Sequence, residues 1–448
     1  MNSITPSQAV AAHLMSALNR LGVEHVFISP GTRSQALVIA ASQLEKAGML
    51  TTHVRVDERS AAFHALGVAL ATKRPVAMIT TSGSAVANLH PAIVEAHHAG
   101  VPLIALTADR PMELRNVGAN QTTNQIGIFA DAVRTCIALE APPLDTAQAF
   151  AEDAALRAVT AALGVRTLKP GPVQINVAFR DPLSSSEPNA AMVESKVALP
   201  QGWPAEEPNI AQIQAASQTI ILAGAGSGKA AAELAELAGW PLLAEPSSGA
   251  RFGKNAIVNY RLLLQQKTQL VNDVKRVIVF GKPTLNRLAI SILFRTDVEI
   301  TVVRNIDYGF FDVSKRALRF VDSVEPLGEP MVGWLDAWKD ASREVAVSKP
   351  TEGINRHIVI QAVWGATDSK DSLLLGASRL IRDAENWAPR KEVQVYSNRG
   401  LAGIDGTIAT AAGISIGQNS DATTRVLLGD LAFLHDVGSL VADETEPN

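Results

Sequence analysis

Apolar and polar positions alternate in long-period and short-period stretches along the chain. Residues 9–21 (AVAAHLMSALNRL) carry apolar side chains at helical spacing, and VEHVFISPG (23–31) follows as a short strand closing on Pro-Gly. The helix pattern ALVIAASQLEKAG comes next, then the strand HVRV (53–56), the helix SAAFHALGVALATK, and the fully apolar strands VAMITTSG (76–83) and VPLIALTAD (101–109). GPVQINV (171–177) supplies a late strand. Strands separated by helices predict a parallel sheet, whose functional loops lie at the strand C-terminal ends.

That rhythm breaks at 181–210, which is rich in Pro, Ser and Glu and reads as a linker. A second α/β block follows with TIILAGAGSGK (219–229), WPLLAEPSSG (240–249), RVIVFGKPT (276–284) and EITVVR (299–304). The polar stretch 341–354 marks another boundary. The third block holds SLLLGAS (372–378), EVQVYSNRG (392–400) and TRVLLGDLAFLHD (424–436) before a polar ADETEPN. The expected fold class is therefore α/β, with three doubly wound parallel-sheet domains over 1–185, 205–345 and 354–448. Three strands are few for the last of these, and it is expected to be incomplete.

Composition narrows the function. Hydrophobic residues make up 47% and aromatics 5%, which suits helices layered on parallel strands. The net charge of −4 and the lack of a basic run give no electrostatic footprint for nucleic acid. A single cysteine, Cys136, excludes an internal disulfide and a multi-cysteine metal site. Neither a leader pattern nor an apolar run of spanning length is present, so the expected compartment is the cytoplasm.

Candidate chemistry gathers at strand ends. SPGTRS (29–34) puts Thr32 and Arg33 on a loop after a strand, TADRP (107–111) does so with Arg110, and SNRG (397–400) with Arg399. Arginine pairs bidentately with carboxylate and phosphate, so three at equivalent positions, with Arg382 nearby in sequence, favour anionic small-molecule substrates. In GANQTTNQ (118–125), Asn120 and Gln121 could orient a substrate or simply cap a turn. SGSA (82–85) offers the hydroxyl of Ser82 and the backbone of Gly83 to a ligand. Glu58, where VRVDERSAAFHALG turns from strand to helix, could cap that helix, though Asp57 could do so instead; freed from capping, it is a carboxylate available for proton chemistry. GAGSGK (224–229) lacks the spacing of a phosphate loop and reads as a structural strand-to-helix turn. His97 and His98 have no partners at metal-ligand spacing. Asp430, at a strand tip beside Gly429, has the chemistry of a hard-metal ligand.

Taken in order, SPGTRS, VRVDERSAAFHALGVA, TTSGSAVANLHPAIVEAHHAGVPLIALTADRP, GANQT, EPSSGAR, SNRGLAGIDGT and GDLAFLHD resemble the 2-succinyl-5-enolpyruvyl-6-hydroxy-3-cyclohexene-1-carboxylate synthases, thiamine-diphosphate enzymes of menaquinone biosynthesis. The resemblance runs through most of the chain and is densest over 25–130 and 395–436. It implies a pyrimidine-binding, a central and a diphosphate-binding domain in a homodimer or homotetramer, with active sites between the first domain of one subunit and the third of another. It further implies decarboxylation of 2-oxoglutarate and addition of the resulting unit to isochorismate, with thiamine diphosphate and Mg²⁺ (or Mn²⁺) as cofactors. Glu58 would hydrogen-bond the aminopyrimidine ring, Ile404 would prop the cofactor, and Asp430 would ligate the metal. Arg33, Arg110, Arg382 and Arg399, with Asn120 and Gln121, would hold the substrates, and Thr32 (often serine in this family) and Ser378 would add secondary contacts. Arg33 and Arg399 join Glu58 as the residues expected at the chemistry, and Ser82, Gly83 and Ser378 as cofactor contacts.

One departure stands out. The family's metal motif begins with GD and finishes some tens of residues on in an asparagine region, and the chain ends at Asn448 without that second half. The expectation is a C-terminally truncated chain, its activity open. Three other readings remain at this point: an acetohydroxyacid synthase or 2-oxoacid decarboxylase of the same superfamily, a non-catalytic remnant that binds dicarboxylates, and a dinucleotide oxidoreductase resting on GAGSGK.

Overall fold

A computed structural model describes residues 4–185, 197–198, 207–305, 309–345, 353–418 and 421–441. Contacts divide the chain into two compact units. The first comprises 1–204, 403–421 and 433–448; the second comprises 205–402 and 422–432.

A six-stranded parallel sheet organises the first unit: β1 (His25–Ile28), β2 (Thr51–Val54), β3 (Val76–Thr80), β4 (Leu103–Asp109), β5 (Cys136–Glu140) and β6 (Val173–Ala178), in the order β2-β1-β3-β4-β6-β5. Every residue of β3, β4 and β6 is buried, because helices cover both faces of the sheet. On one face the helix Pro6–Arg20 packs with Ala147–Ala162, whose Ala151, Ala154, Ala155 and Ala158 allow a close approach. The first of these helices starts on a capping box: Thr5 Oγ1 accepts from Gln8 N at 3.1 Å, and Gln8 Oε1 accepts from Thr5 N at 3.2 Å.

The other face carries the helix Glu58–Thr72, which has almost no polar side: residues 60–69 are all buried. One side of it meets Phe27, Met78, Leu103 and Ala105 of the sheet. Its opposite side is covered by the helix Thr407–Gly417, which returns from far along the chain. The two backbones nearly touch. A Cβ added to Gly67 would lie 2.1 Å from the Thr410 carbonyl oxygen, and one added to Gly413 would lie 2.0 Å from that of His64. Asp436, wholly buried, fixes the start of the Thr407 helix by accepting from Ile408 N (2.7 Å) and Ala409 N (2.9 Å), and also receives Arg59 Nη1 (2.8 Å) and Ser439 Oγ (2.6 Å).

The second unit holds a five-stranded parallel sheet in the order β12-β11-β10-β8-β9: β8 (Thr219–Ala223), β9 (Leu242–Ala244), β10 (Arg276–Phe280), β11 (Glu299–Val303) and β12 (Arg319–Val321). A parallel pair joins β7 (Ile210–Gln214) to β13 (Ser323–Leu327). A three-stranded parallel sheet, ordered β15-β14-β16, comprises β14 (Ser372–Leu375), β15 (Gln394–Tyr396) and β16 (Thr424–Leu427). Trp334, Trp338 and Tyr260 fill the core on one face of the five-stranded sheet, and Trp240, Ala231 and Ala235 fill the other. The chain is thus α/β with parallel sheets, as its pattern predicts.

The first residues of the polar stretch 341–354 are helical, since the helix Trp334–Glu344 buries Ala341 against the core before it ends. The proposed linker 181–210 lies mostly outside the described residues, apart from 181–185, 197–198 and 207–210. No helix among the described residues is long and apolar enough to cross a membrane.

Candidate active site

In the first unit the strand order reverses between β1 and β3, since β1 leads to β2 on one side while β3 lies on the other. Such a reversal opens a crevice at the strand C-terminal ends, where ligands of α/β sheets bind. The SPGTRS loop leaves β1 here and TSGSA leaves β3. Their tips touch, for a Cβ on Gly31 would sit 2.3 Å from that of Thr81. Thr32 is exposed at the head of a short 3-10 turn, Thr32–Ser34. Arg33, half-buried, donates from Nη1 to the Phe179 carbonyl at 3.0 Å and lies 3.7 Å from the Asp181 carboxylate.

Arg110 reaches the same crevice from the end of β4. Its Nη1 donates to Ser82 Oγ at 2.5 Å and to the Gln121 carbonyl at 2.7 Å. Burial, and then the positive charge of Arg33, push the Arg110 guanidinium below its ordinary pKa. Two cations held near one another at a crevice mouth make a site for an anion. Gln121 closes the ring: its Nε2 donates to the Ser82 carbonyl at 2.9 Å, while its own carbonyl accepts from Ser82 Oγ at 2.9 Å. Its amide is thus engaged with the loop. Asn120 is exposed, with its carbonyl accepting from Thr122 Oγ1 at 3.2 Å.

Behind these groups lies a buried polar network absent from the sequence-based list. Gln125 Oε1 accepts from Gly83 N at 3.0 Å, and its Nε2 donates to the Ala108 carbonyl (3.1 Å) and to Asn176 Oδ1 (3.0 Å). Asn176 Nδ2 in turn donates to Asp109 Oδ2 at 2.9 Å, which Arg115 meets at 3.1 Å. The side chains of Gln125 and Asn176 thus tie the Gly83 loop after β3 to the end of β4. The signal was present in GPVQINV: Gln174 and Asn176 are amides in a strand buried on both faces, which need buried partners.

Glu58 opens the helix after β2. Asp57 supplies the cap, accepting from Arg59 N (2.9 Å) and Ser60 N (3.2 Å), so Glu58 is released from that task. The half-buried Glu58 carboxylate accepts from Asn88 Nδ2 at 3.1 Å. Nothing in the reading of the sequence singled out Asn88. Ile404, half-buried, belongs to this unit.

The three-stranded sheet of the second unit repeats the reversal, with β14 between β15 and β16. In the sheet order β15-β14-β16, the loops at the three strand tips carry Arg399, Ser378 and Asp430. Ser378 precedes the helix Arg379–Trp387, on whose first turns Arg382 is exposed. Arg399 donates from Nη2 to Thr284 Oγ1 at 2.9 Å, while its buried Nε has no hydrogen-bond partner among the described residues. An orphaned guanidinium N–H fits an incoming carboxylate. Asp430 is exposed at the start of the helix Asp430–Asp436. Among the described residues no group of three His, Cys, Asp or Glu side chains could hold a metal. One carboxylate at a glycine-led strand tip suits a hard ion that takes its other ligands from phosphate oxygens and water.

The five-stranded sheet has its own reversal, between β8 and β10, and this is where GAGSGK lies. The chain itself fills it. Ala225 forms an antiparallel bridge with Lys282, and a Cβ on Gly224 would fall 2.0 Å from Pro283 N. Close packing of loop on loop explains Gly224, and left-handed backbone explains Gly226 (φ 79°) and Gly228 (φ 66°), without a dinucleotide. His97 is likewise structural, its Nδ1 lying 3.0 Å from the Ala132 carbonyl, and Cys136 donates to Gln174 Oε1 at 3.2 Å.

The chain is similar along its length to known proteins. Residues 8–128 match the family described as thiamine pyrophosphate enzyme, N-terminal TPP binding domain. The chain is 41% identical to a 2-succinyl-5-enolpyruvyl-6-hydroxy-3-cyclohexene-1-carboxylate synthase of Leifsonia xyli, over 98% of this chain and 81% of the relative. Proteins of the same name from Kineococcus radiotolerans and Mycobacterium avium are 43% and 36% identical, each over 99% of this chain and 82% of the relative.

Proposed function

The chain belongs to the 2-succinyl-5-enolpyruvyl-6-hydroxy-3-cyclohexene-1-carboxylate synthase family, and from that premise we propose how its own residues divide the work. It is a thiamine-diphosphate-dependent transferase of menaquinone biosynthesis. It decarboxylates 2-oxoglutarate and joins the remaining four-carbon unit to isochorismate, releasing CO₂. Thiamine diphosphate, when bound, supplies the electron sink for loss of CO₂.

The protein's part is to bind, orient and hold protons. Glu58 would hold the aminopyrimidine ring by a hydrogen bond, and Asn88, donating to Oε2, fixes the orientation of its carboxylate. Arg33 and Arg110 receive substrate carboxylates at the β1–β3 crevice, with Thr32 and Asn120 as hydrogen-bonding partners at its mouth and Ser82, Gly83 and Gln121 as its floor. Arg399 and Arg382 give the second set of cations, Ser378 and Ile404 would contact the cofactor, and Asp430 would be a protein ligand to Mg²⁺ or Mn²⁺. The division into domains at 1–185, 205–345 and 354–448, a homodimeric or homotetrameric assembly, and a cytoplasmic location complete the reading.

The observation that carries it is Arg110 bonded to Ser82 at the sheet's reversal, with Arg33 near enough to push its pKa down, which suits a substrate bearing more than one carboxylate. Calorimetry of thiamine diphosphate with the chain, with and without Mg²⁺, tests the cofactor assignment. Binding should depend on the metal and weaken about tenfold in Glu58→Gln, the loss expected for one charge-assisted hydrogen bond. Metal-independent binding, or binding indifferent to Glu58, would count against these roles. Product analysis with 2-oxoglutarate and isochorismate, against pyruvate, tests the substrates.

A further inference from the structure

Glu245 directly follows β9, at the start of the PSSGAR turn, and is 2% exposed. A buried carboxyl is costly unless something uses it. Its Oε1 accepts from Leu285 N at 2.6 Å, anchoring the GKPTLN loop that follows β10. Its Oε2 is buried with no hydrogen-bond partner among the described residues. Nothing in the function described above requires this residue.

The loop it anchors has few ways to move. Lys282 is bridged to Ala225, and Asn286 caps the helix Arg287–Ile292 by accepting from Leu288 N (2.9 Å) and Ala289 N (3.3 Å). Between these fixed ends stands Thr284, whose Oγ1 accepts from Arg399 Nη2 at 2.9 Å, and Lys282 Nζ lies 3.5 Å from the Gly400 carbonyl. The loop therefore touches the SNRG tip at two adjacent residues. Arg399 is engaged through one terminal nitrogen, and its Nε stays orphaned. The guanidinium is aimed by a hydroxyl, the hydroxyl by a loop, and the loop by one buried acid.

We infer that Glu245 and Thr284 are positioning residues, which set the direction in which Arg399 presents its unsatisfied N–H to a substrate carboxylate. This rests on the reading of Arg399 as a substrate-binding residue. The central domain thereby contributes to substrate recognition through a carboxyl that never meets the substrate. Burial holds the Glu245 carboxyl up to about 8, with Glu385 adding to the shift and Arg399 opposing it, so at neutral pH it is a neutral acid beside Arg399 rather than a competing anion. Substrate affinity is then not drained by an internal salt bridge.

The test is a set of dissociation constants for 2-oxoglutarate and isochorismate, each measured by calorimetry on the cofactor-supplemented chain, with kcat and KM alongside. The variants are Arg399→Ala, Thr284→Val, Thr284→Ser, Glu245→Ala and Glu245→Gln. Arg399→Ala should weaken one of the two ligands about 30-fold. Thr284→Val and Glu245→Ala should weaken that same ligand about tenfold, leave the other within twofold, and raise KM with kcat little changed. Thr284→Ser keeps the hydroxyl and Glu245→Gln keeps an acceptor for Leu285 N, so both should bind as wild type. In Arg399→Ala the further change Thr284→Val should have no effect. If Arg399→Ala matters and the Thr284 and Glu245 variants do not, the positioning proposal is wrong while the role of Arg399 survives. Should Arg399→Ala leave both ligands unaffected, or the wild-type chain bind neither, the underlying role falls and the proposal with it. A general loss in which both ligands weaken equally, with Thr284→Ser failing to rescue, would mark a structural effect and also overturn it.

Discussion

Replacing Gly413 by Ala should loosen the Thr407 helix from the Glu58 helix although alanine is the better helix former. Intrinsic propensity favours the change by about 1 kcal/mol. Packing opposes it. The new Cβ would lie 2.0 Å from the His64 carbonyl oxygen and 3.0 Å from Gly67 Cα, where ordinary contact begins at 3.4 Å. Both obstacles are backbone, so no rotamer change relieves them, and the helices must separate by roughly 1.4 Å, in a core that is close-packed. Overpacking of this kind costs about 1–3 kcal/mol, and an immovable backbone puts it at the upper end, about 3 kcal/mol. The net destabilisation is about 2 kcal/mol, or roughly a 30-fold rise in local opening. Hydrogen exchange of the 407–417 amides, read by mass spectrometry under native conditions, measures it directly. Gly365→Ala is the control, since its added Cβ meets nothing within 4 Å. If Gly413→Ala leaves those amides as protected as in wild type, the close approach of the two helices is not a stabilising contact and the reasoning fails.

Four other outcomes follow from the geometry. Acidification should destabilise the first unit: burial, and then His53, depress the pKa of His25 from 6.5 to about 4. The unfolded chain therefore takes up this proton first as pH falls from 6.5 to 4, and at most about 3 kcal/mol is lost across that window. Melting curves of wild type and His25→Gln should converge near pH 7 and diverge below pH 6. Raising the pH acts on Glu245 in the second unit, because an acid held protonated up to about 8 in the fold ionises from 4.5 upward when unfolded. Its contribution is complete below pH 4.5 and fades toward pH 8, so Glu245→Gln should gain stability over wild type at pH 8, by at most about 5 kcal/mol, and not at pH 4.5. Gln125→Leu strands Gly83 N and Asn176 and should cost about 3 kcal/mol in chemical denaturation, with substrate binding lost in proportion. Asn88→Ala should lower kcat/KM about tenfold, and Asn88→Asp further, by setting a second carboxylate beside Glu58.

The strongly periodic elements were legible because each is fixed by its own residues. VAMIT and LIALTAD are buried on both faces and read as continuous apolar runs. β5 and β7 escaped notice because CIALE and IAQIQ bury only alternate residues, at the edge of a sheet or in a two-stranded pair. β12 and β13 escaped for a related reason: RFV and SVEPL are largely exposed or half-exposed, and one contains proline. The arginines at strand tips were visible as a pattern, since parallel topology alone gathers them. What could not be read was which polar residues face inward. Gln121 and Gln125 sit four positions apart in one polar loop, yet the first lines the crevice floor and the second is buried beneath it, a difference set by Asn176 on a strand 51 residues away. The sequence left Asp57 and Glu58 both able to cap, and the fold's choice of Asp57 is what leaves Glu58 available.

The Thr407 helix also has a consequence in time. The apolar face of the Glu58 helix, with Gly67 at its centre, is made early in synthesis, and its cover follows some 335 residues later. At ribosomal speeds of about 5–20 residues per second, that face is bare for roughly 20–70 s. The segment that covers it is made only after residue 402 of the second unit, after β15 and before β16. The first unit therefore cannot be finished while it is the only part made. Its yield in a cell should depend on whatever shields that one helix in the interval.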